Sequence, residues 1–307
     1  MHLIAVDWGT TSLRGALLDR AGTVLATQSH PRGILSVPAG GFEAVFASLF
    51  GDWMALPGAR GLISGMAGSQ QGWVEAPYCA CPAGVAEVAS RIVAIDGIGP
   101  SGGTHDIAIV PGLRDEHDGV PDVMRGEEVQ ILGAMASIGA RDGLFVLPGT
   151  HSKWATVQDG RVTGFRTFMT GEFYALLSQH SILARTLEAD APLDEAAFRD
   201  GVARSTHGAG LLHNAFGTRT LALFERLPKA ARSSYLSGLL IGEELRTQPL
   251  QGLRDVVLVG APALTERYAL ALASVDAARP IHTRTLGAEA TWAGLHALAM
   301  IRQPFTP

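Results

Sequence analysis

The chain has 307 residues, 47% of them hydrophobic and 17% charged, with a formal net charge of -5. That is enough apolar material for a large core and, by length, for two domains. The acidic balance speaks against nucleic acid or an anionic membrane as partner. Cys79 and Cys81 are the only cysteines. They are too close for an unstrained disulfide and too few for a zinc centre, so they read as plain thiols of a reducing cytoplasm. No apolar run reaches the ~20 residues of a membrane span, and no signal peptide is recognised.

The elements come in a regular order. Apolar strands are expected at His2–Asp7, Leu13–Leu18 and Val24–Ser29. The first ends on a carboxylate, Asp7, and runs into Gly9-Thr10-Thr11-Ser12. A 3.6-residue period through Phe42, Val45, Phe46, Leu49, Phe50 and Trp53 predicts a helix. Strands follow at Gly61–Gly68 and Asp106–Leu113, then a helix with Val129, Ile131, Leu132, Met135 and Ile138 on its apolar face, just behind Gly126-Glu127-Glu128. Strands return at Leu144–Leu147, Lys153–Val157 and Val162–Phe168. Thr170 is placed to cap the next helix. "GAGLLHNAFG" and "YLSGLLIGEEL" read as packing helices, with Gly238 and Gly242 spaced to admit a close neighbour. Strand Asp255–Leu264 contains a glycine turn, and a helix over Leu286–Gln303 closes the chain. His105 and His207 show no ligand spacing and read as structural or solvated.

This order hides a repeat. Gly9, Thr10, Ser12 and Asp19 recur 140 residues later as Gly149, Thr150, Ser152 and Asp159. Each copy is strand, G-T-x-S turn, strand, hairpin turn, strand. The expectation is an α/β protein of two related domains, 1–140 and 141–307, with a cleft between them. A G-T-x-S turn gathers backbone N–H groups and hydroxyls, donors that suit phosphate oxygens. Two such turns, Gly9–Ser12 and Gly149–Ser152, would hold a polyphosphate from both sides, the second adding His151 and Lys153. Asp7 makes sense beside phosphate only through a divalent cation, reached through water as Mg²⁺ prefers. Gly260-Ala261 closes a buried strand ahead of a helix and would let a nucleoside approach the backbone.

"DWGTTSLR", "LPGTHSKW" and "LVGAPAL" resemble the phosphate-1, phosphate-2 and adenosine motifs of the actin-like ATPase and sugar kinase superfamily. With "GMAGSQQGW", "PGLRDE", "MRGEEVQILGA" and "FMTGEFYALL", the chain is similar over nearly its whole length to the 2-keto-3-deoxygalactonate kinase family. The resemblance implies two ribonuclease H-like domains with a nucleotide-binding cleft. It also implies ATP and Mg²⁺ as cofactors, and transfer of the γ-phosphate to the C6 hydroxyl of 2-dehydro-3-deoxygalactonate in galactonate degradation, in the cytoplasm.

An attacking hydroxyl needs a carboxylate to take its proton. Related kinases carry a Gly-Asp pair before such a helix, and Glu127 stands in that place, with Glu128 second and Asp106 third. The glutamate adds a methylene to the superfamily pattern. A carboxylate on the substrate asks for a guanidinium, for which Arg125 and Arg166 are candidates. Met66, Ser69, Gln70 and Trp73 lie in a segment resembling the sugar loop, with Gln71 beside them. A kinase for another sugar or sugar acid, and an ATPase switch without kinase activity, remain open alternatives, as does a homodimer.

Overall fold

The computed structural model describes residues 2–95, 106–208, 210–275, 280–302 and 305. His105 and Gln303 lie outside them. The chain divides into two compact units: Met1–Gly143, Ala155–Phe165 and Ala288–Pro307 form unit 1, and Leu144–Trp154 with Arg166–Gly287 form unit 2.

Unit 1 carries β1 (His2–Trp8), β2 (Leu13–Leu18), β3 (Val24–His30), β4 (Ala59–Gly65), the two-residue strands β5 (Cys79–Ala80), β6 (Ala83–Gly84) and β7 (Val93–Ala94), then β8 (Asp106–Ile109), β9 (Leu113–His117) and β10 (Val120–Met124). Its first helices are α1 (Phe42–Met54), α2 (Val85–Ser90) and α3 (Glu127–Ile138). The main sheet runs β3-β2-β1-β4-β8-β7. β1 is antiparallel to β2 and parallel to β4, and β4 is parallel to β8. β1 buries every residue from Leu3 to Val6, as a central strand covered on both faces must. β3 has no fully buried residue and sits at the sheet edge. The core gathers Val6, Trp8, Leu13, Phe42, Phe46, Phe50, Ile63 and Ile109.

Strands β11 (Gly143–Leu147), β12 (Ser152–Gln158) and β13 (Arg161–Phe168) lead into unit 2, followed by α4 (Thr170–His180), α5 (Glu195–Ser205), α6 (Leu211–Leu223), α7 (Arg232–Leu245), β14 (Asp255–Val259), α8 (Pro262–Ala273) and β15 (His282–Leu286). The sheet order is β13-β12-β11-β14-β15, with β11 parallel to β14 and β14 to β15. Each unit thus sets its first five long strands in the order third, second, first, fourth, fifth, so the sequence repeat is a repeat of topology. The tip of the β12–β13 hairpin counts with unit 1, where Arg161 and Val162 pair with Gly84 and Ala83. The unit 2 core joins Val146, Trp154, Phe198, Ile241, Leu258, Tyr268 and Leu272. α5 crosses α7 where the sequence expects a close neighbour. A Cβ at Gly238 would stand 2.0 Å from the Phe198 carbonyl oxygen, and one at Gly242 2.5 Å from Ser205 Oγ.

Three details differ from the sequence reading. The last helix, α9 (Glu289–Ile301), belongs to unit 1 and not to a 141–307 domain. It lies backbone to backbone on α3, with a Cβ at Gly133 only 1.8 Å from the Ala290 carbonyl oxygen. Strands end early at Gly65, Ile109 and Val259, where a short 3-10 turn, a second strand and a helix take over. Thr170 is the first residue of α4 behind Met169, and its hydroxyl donates to Glu244 instead of capping the helix.

Among the described residues, no helix is long and apolar enough to cross a membrane. Cys79 and Cys81 are free thiols, and burial raises both, Cys81 to about 12. They are therefore protonated and poor nucleophiles at neutral pH.

Candidate active site

In unit 1 the turn between β1 and β2 is closed by Gly9 N–H donating to the Ser12 carbonyl at 2.9 Å. Thr10, Thr11 and Ser12 are exposed, so their hydroxyls face solvent. The turn is braced from behind. Ile34 N–H donates to the Gly9 carbonyl at 3.0 Å and Leu35 N–H to the Thr10 carbonyl at 3.3 Å. Gly33 rests on the Thr10–Thr11 peptide, where a Cβ would come within 2.3 Å of backbone atoms. Only glycine permits that approach.

Asp7 lies opposite Arg14 in the β1–β2 register, and the two form an ion pair of 2.5 Å. This pair was readable as opposite charges across an antiparallel hairpin. Arg14 is 42% exposed and Asp7 16%, so the guanidinium can swing into water and leave the carboxylate to another cation. Asp7 Oδ1 also approaches β4, at 3.3 Å from where a Gly65 Cβ would be. A Gly126 Cβ would in turn lie 3.4 Å from Gly65 Cα. The ends of β1 and β4 and the start of α3 therefore converge at Gly65, with Asp7 on one side of it and Gly126, the residue before Glu127, on the other.

The two glutamates behave differently. Glu127 is half-buried, and its Oε2 accepts from Arg125 N–H at 3.0 Å. Glu128 is fully buried. Its Oε2 accepts from Gly126 N–H at 2.7 Å, and among the described residues its Oε1 has no hydrogen-bond partner. Burial first, and the neighbouring Glu127 charge second, push Glu128 up to about 8. It is largely protonated at neutral pH and unsuited to accept a proton there. Asp106 is also set aside as a base. It is held by buried Arg60 at 2.5 Å and accepts from Phe305 N–H at 2.9 Å, so it ties the chain's end to β8.

Arg125 lies beside the loop that follows β4. Its Nη2 donates to the Ala76 carbonyl at 2.9 Å, its guanidinium covers the Tyr78 ring at 4.3 Å, and a Gly68 Cβ would lie 2.9 Å from Nη1. Its Nε and Nη1 are buried without a hydrogen-bond partner among the described residues. In the loop, Ser69 Oγ donates to the Met66 carbonyl at 2.8 Å, and Gln70 and Gln71 are exposed. Met66 is half-buried against the core. Trp73 is not a free platform. Its indole is stacked on Phe42 at 6.4 Å, tilted against Phe46 at 5.7 Å and edge-on to Trp8 at 6.2 Å, so it anchors the loop to the core.

In unit 2 the equivalent turn carries Gly149, Thr150 and His151 on its open side. The start of α4 sits on it: a Gly171 Cβ would stand 2.4 Å from the Gly149 carbonyl oxygen, and Glu172 N–H donates to the Thr150 carbonyl at 3.0 Å. His151 Nε2 and Glu172 Oε2 are 2.6 Å apart. Ser152 departs from the expectation of a phosphate ligand. It is fully buried, and its hydroxyl donates to Glu244 at 2.8 Å. Lys153 is buried, with Nζ donating to Thr167 Oγ1 at 2.8 Å. Gly260, at the end of β14, lies by Pro148 of the turn, 3.4 Å from a Cβ position to the Pro148 carbonyl oxygen, and Ala261 is exposed. Arg166 is exposed on β13 of this unit.

Sequence reasoning missed Glu244. It accepts from Ser152, Trp154, Thr170 and Tyr268. Burial raises its pKa, against the pull of those donors. The available signal was a carboxylate on the face of α7 that otherwise carries Leu240, Ile241 and Leu245, while Glu243 faces out to Arg246. Among the described residues no three acidic, histidine or cysteine side chains gather as a metal site.

Two sheets of one repeated strand order, each opening on a G-T-x-S turn, make up a ribonuclease H-like, actin-like ATPase fold, and its relatives make the chain a carbohydrate kinase, for which ATP is a substrate. The family model for 2-keto-3-deoxy-galactonokinase matches residues 7–298, and the chain belongs to that family. It is 40% identical over 305 residues to a Rhizobium meliloti (strain 1021) protein carrying the name probable 2-dehydro-3-deoxygalactonokinase, covering 97% of this chain and 96% of that one. It is 34% identical over 274 residues to the 2-dehydro-3-deoxygalactonokinase of Escherichia coli (strain K12), covering 86% and 87%. A crystal structure assigned to the same activity, from Sinorhizobium meliloti, superposes with a TM-score of 0.87 at 38% identity, covering 98% of this chain and 99% of that one.

Proposed function

We propose that this chain transfers the γ-phosphoryl group of ATP to the C6 hydroxyl of 2-dehydro-3-deoxy-D-galactonate, giving the 6-phosphate and ADP, in galactonate catabolism in the cytoplasm. The observation that carries the reading is the convergence at Gly65 of the end of β1, which carries Asp7 and leads into the exposed first turn, with the start of α3, which carries Glu127. Glu127 is the base: it is half-buried, steadied by the Arg125 amide, and takes the hydroxyl proton as oxygen attacks phosphorus. The Gly9–Ser12 and Gly149–His151 turns offer backbone N–H groups and hydroxyls to the phosphates. Lys153 adds charge from behind the second turn, and Gly260-Ala261 receives the adenosine.

Asp7 suits a hydrated Mg²⁺ carried in with the nucleotide, since one carboxylate plus phosphate oxygens is the donor set Mg²⁺ takes in kinases. Such an ion would neutralise phosphate charge during transfer. Arg125 is the preferred partner for the substrate carboxylate, because two of its N–H edges have no acceptor among the described residues and it lies beside the Met66–Trp73 loop. Ser69 and Gln70 face the sugar hydroxyls. Arg166 is the second choice.

The test is ADP release from MgATP with 2-keto-3-deoxy sugar acids, aldoses or no acceptor. Stimulation by the galactonate-derived acid is expected. Release that ignores the acceptor would make the chain an ATPase switch, and stimulation by an aldose alone would reject the substrate.

A further inference from the structure

The Glu244 carboxylate sits on α7, on no turn and on no strand, yet it is bonded to side chains from three segments around the second turn. Ser152 closes that turn and donates at 2.8 Å, and Trp154, two residues on in β12, donates its indole N–H. Thr170 opens α4, whose next residue, Gly171, lies on the Gly149–Thr150 backbone. Tyr268 comes from α8, the helix behind Gly260-Ala261, and donates at 2.7 Å. All four groups donate, and only an acceptor with two oxygens can serve them all. A core position needs no such group, and burying a carboxylate costs free energy unless its partners are in place.

We infer that Glu244 is a positioning residue for ATP: it locks the Gly149–His151 turn, the start of α4 and the helix behind Gly260 into the one arrangement that receives the nucleotide. The inference rests on the kinase reading and deepens it. Glu244 touches no substrate. It acts through the turn, by holding the backbone N–H groups where phosphate oxygens arrive, so that binding does not have to order them. Its loss therefore falls on ATP and spares the sugar acid, whose proposed contacts are in unit 1.

The experiment is steady-state kinetics of wild type and Glu244→Gln, with each substrate varied in turn and folding checked by circular dichroism. Glutamine keeps the shape but offers one acceptor oxygen, so the four donors cannot all be served as before. The expected result is a rise in KM for ATP of about tenfold or more, the effect of ~1.4 kcal/mol of lost binding, with KM for the acid within about twofold. An ATP KM unchanged in a folded variant, or equal losses for both substrates, overturns the positioning role. If E244Q does not fold, Ser152→Ala and Thr170→Val cut two of the ties singly, and the same split decides. Wild type without acceptor-dependent ADP release would overturn the kinase reading and the clamp together, whereas an active wild type with an indifferent E244Q overturns only the clamp.

Discussion

The two G-T-x-S turns share a sequence pattern and a place in their sheets, but they are wired differently. In the first, Ser12 is exposed and the strand before it carries Asp7, paired to Arg14. In the second, the equivalents of Asp7 and Arg14 are Leu147 and Trp154, both buried, and Ser152 is turned inward to Glu244. A backbone turn can thus be kept while its side chains change duty: one copy presents hydroxyls and a carboxylate, the other is held from within and presents its backbone. On the function proposed above, Glu127 of unit 1 carries the proton transfer and the Gly149–His151 turn of unit 2 binds phosphate.

The sharpest way to break this division is Glu127→Gln. We expect kcat to fall by roughly 10²–10⁴-fold, the usual worth of a general base, with KM for ATP unchanged in steady-state assays. A next step is Arg125→Ala, which should raise KM for the sugar acid about 10- to 100-fold, as losing a charged hydrogen bond does, and leave KM for ATP alone. The comparison itself is tested by the matched pair Ser12→Ala and Ser152→Ala. The first should leave the melting temperature within about 1 °C, as exposed substitutions do. The second removes a buried donor worth ~1–3 kcal/mol and should lower it by several degrees, read by calorimetry.

The mildest effect is a pH dependence. Glu128 is held up to about 8, above its unfolded value. The native chain then keeps a proton that the unfolded chain releases. Its contribution to stability is whole below the ordinary carboxylate range and is lost as pH rises through about 8. Urea unfolding should show wild-type stability declining from pH 5 to pH 8, and Glu128→Gln should flatten that decline.

Much of this was legible in the residues because it depends on local pattern. The six strands of the repeat begin and end within two residues of their expected places, since alternation, hairpin turns and G-T-x-S punctuation are short-range signals. The start of α3 at Glu127 follows from a glycine ahead of an apolar period. What escaped depends on contacts far apart in sequence. Ser152 read as a phosphate ligand and Thr170 as a helix cap because their acceptor, Glu244, comes more than 70 residues later. Trp73 looked free because its partners lie on β1 and α1. The return of α9 to unit 1 rests on small residues meeting backbone, and small residues have no periodic signature of their own. The Asp7–Arg14 pair is an exception, since hairpin register alone sets the two side by side.

The most direct test is calorimetric titration of MgATP into wild type, a Thr10→Val/Thr11→Val variant and a Thr150→Val variant. Saturable heat is predicted in wild type, and an affinity about tenfold weaker (~1.4 kcal/mol) when either turn is altered, as the phosphate role proposed for each turn requires. No heat in wild type, or one turn that can be altered without effect, would contradict it.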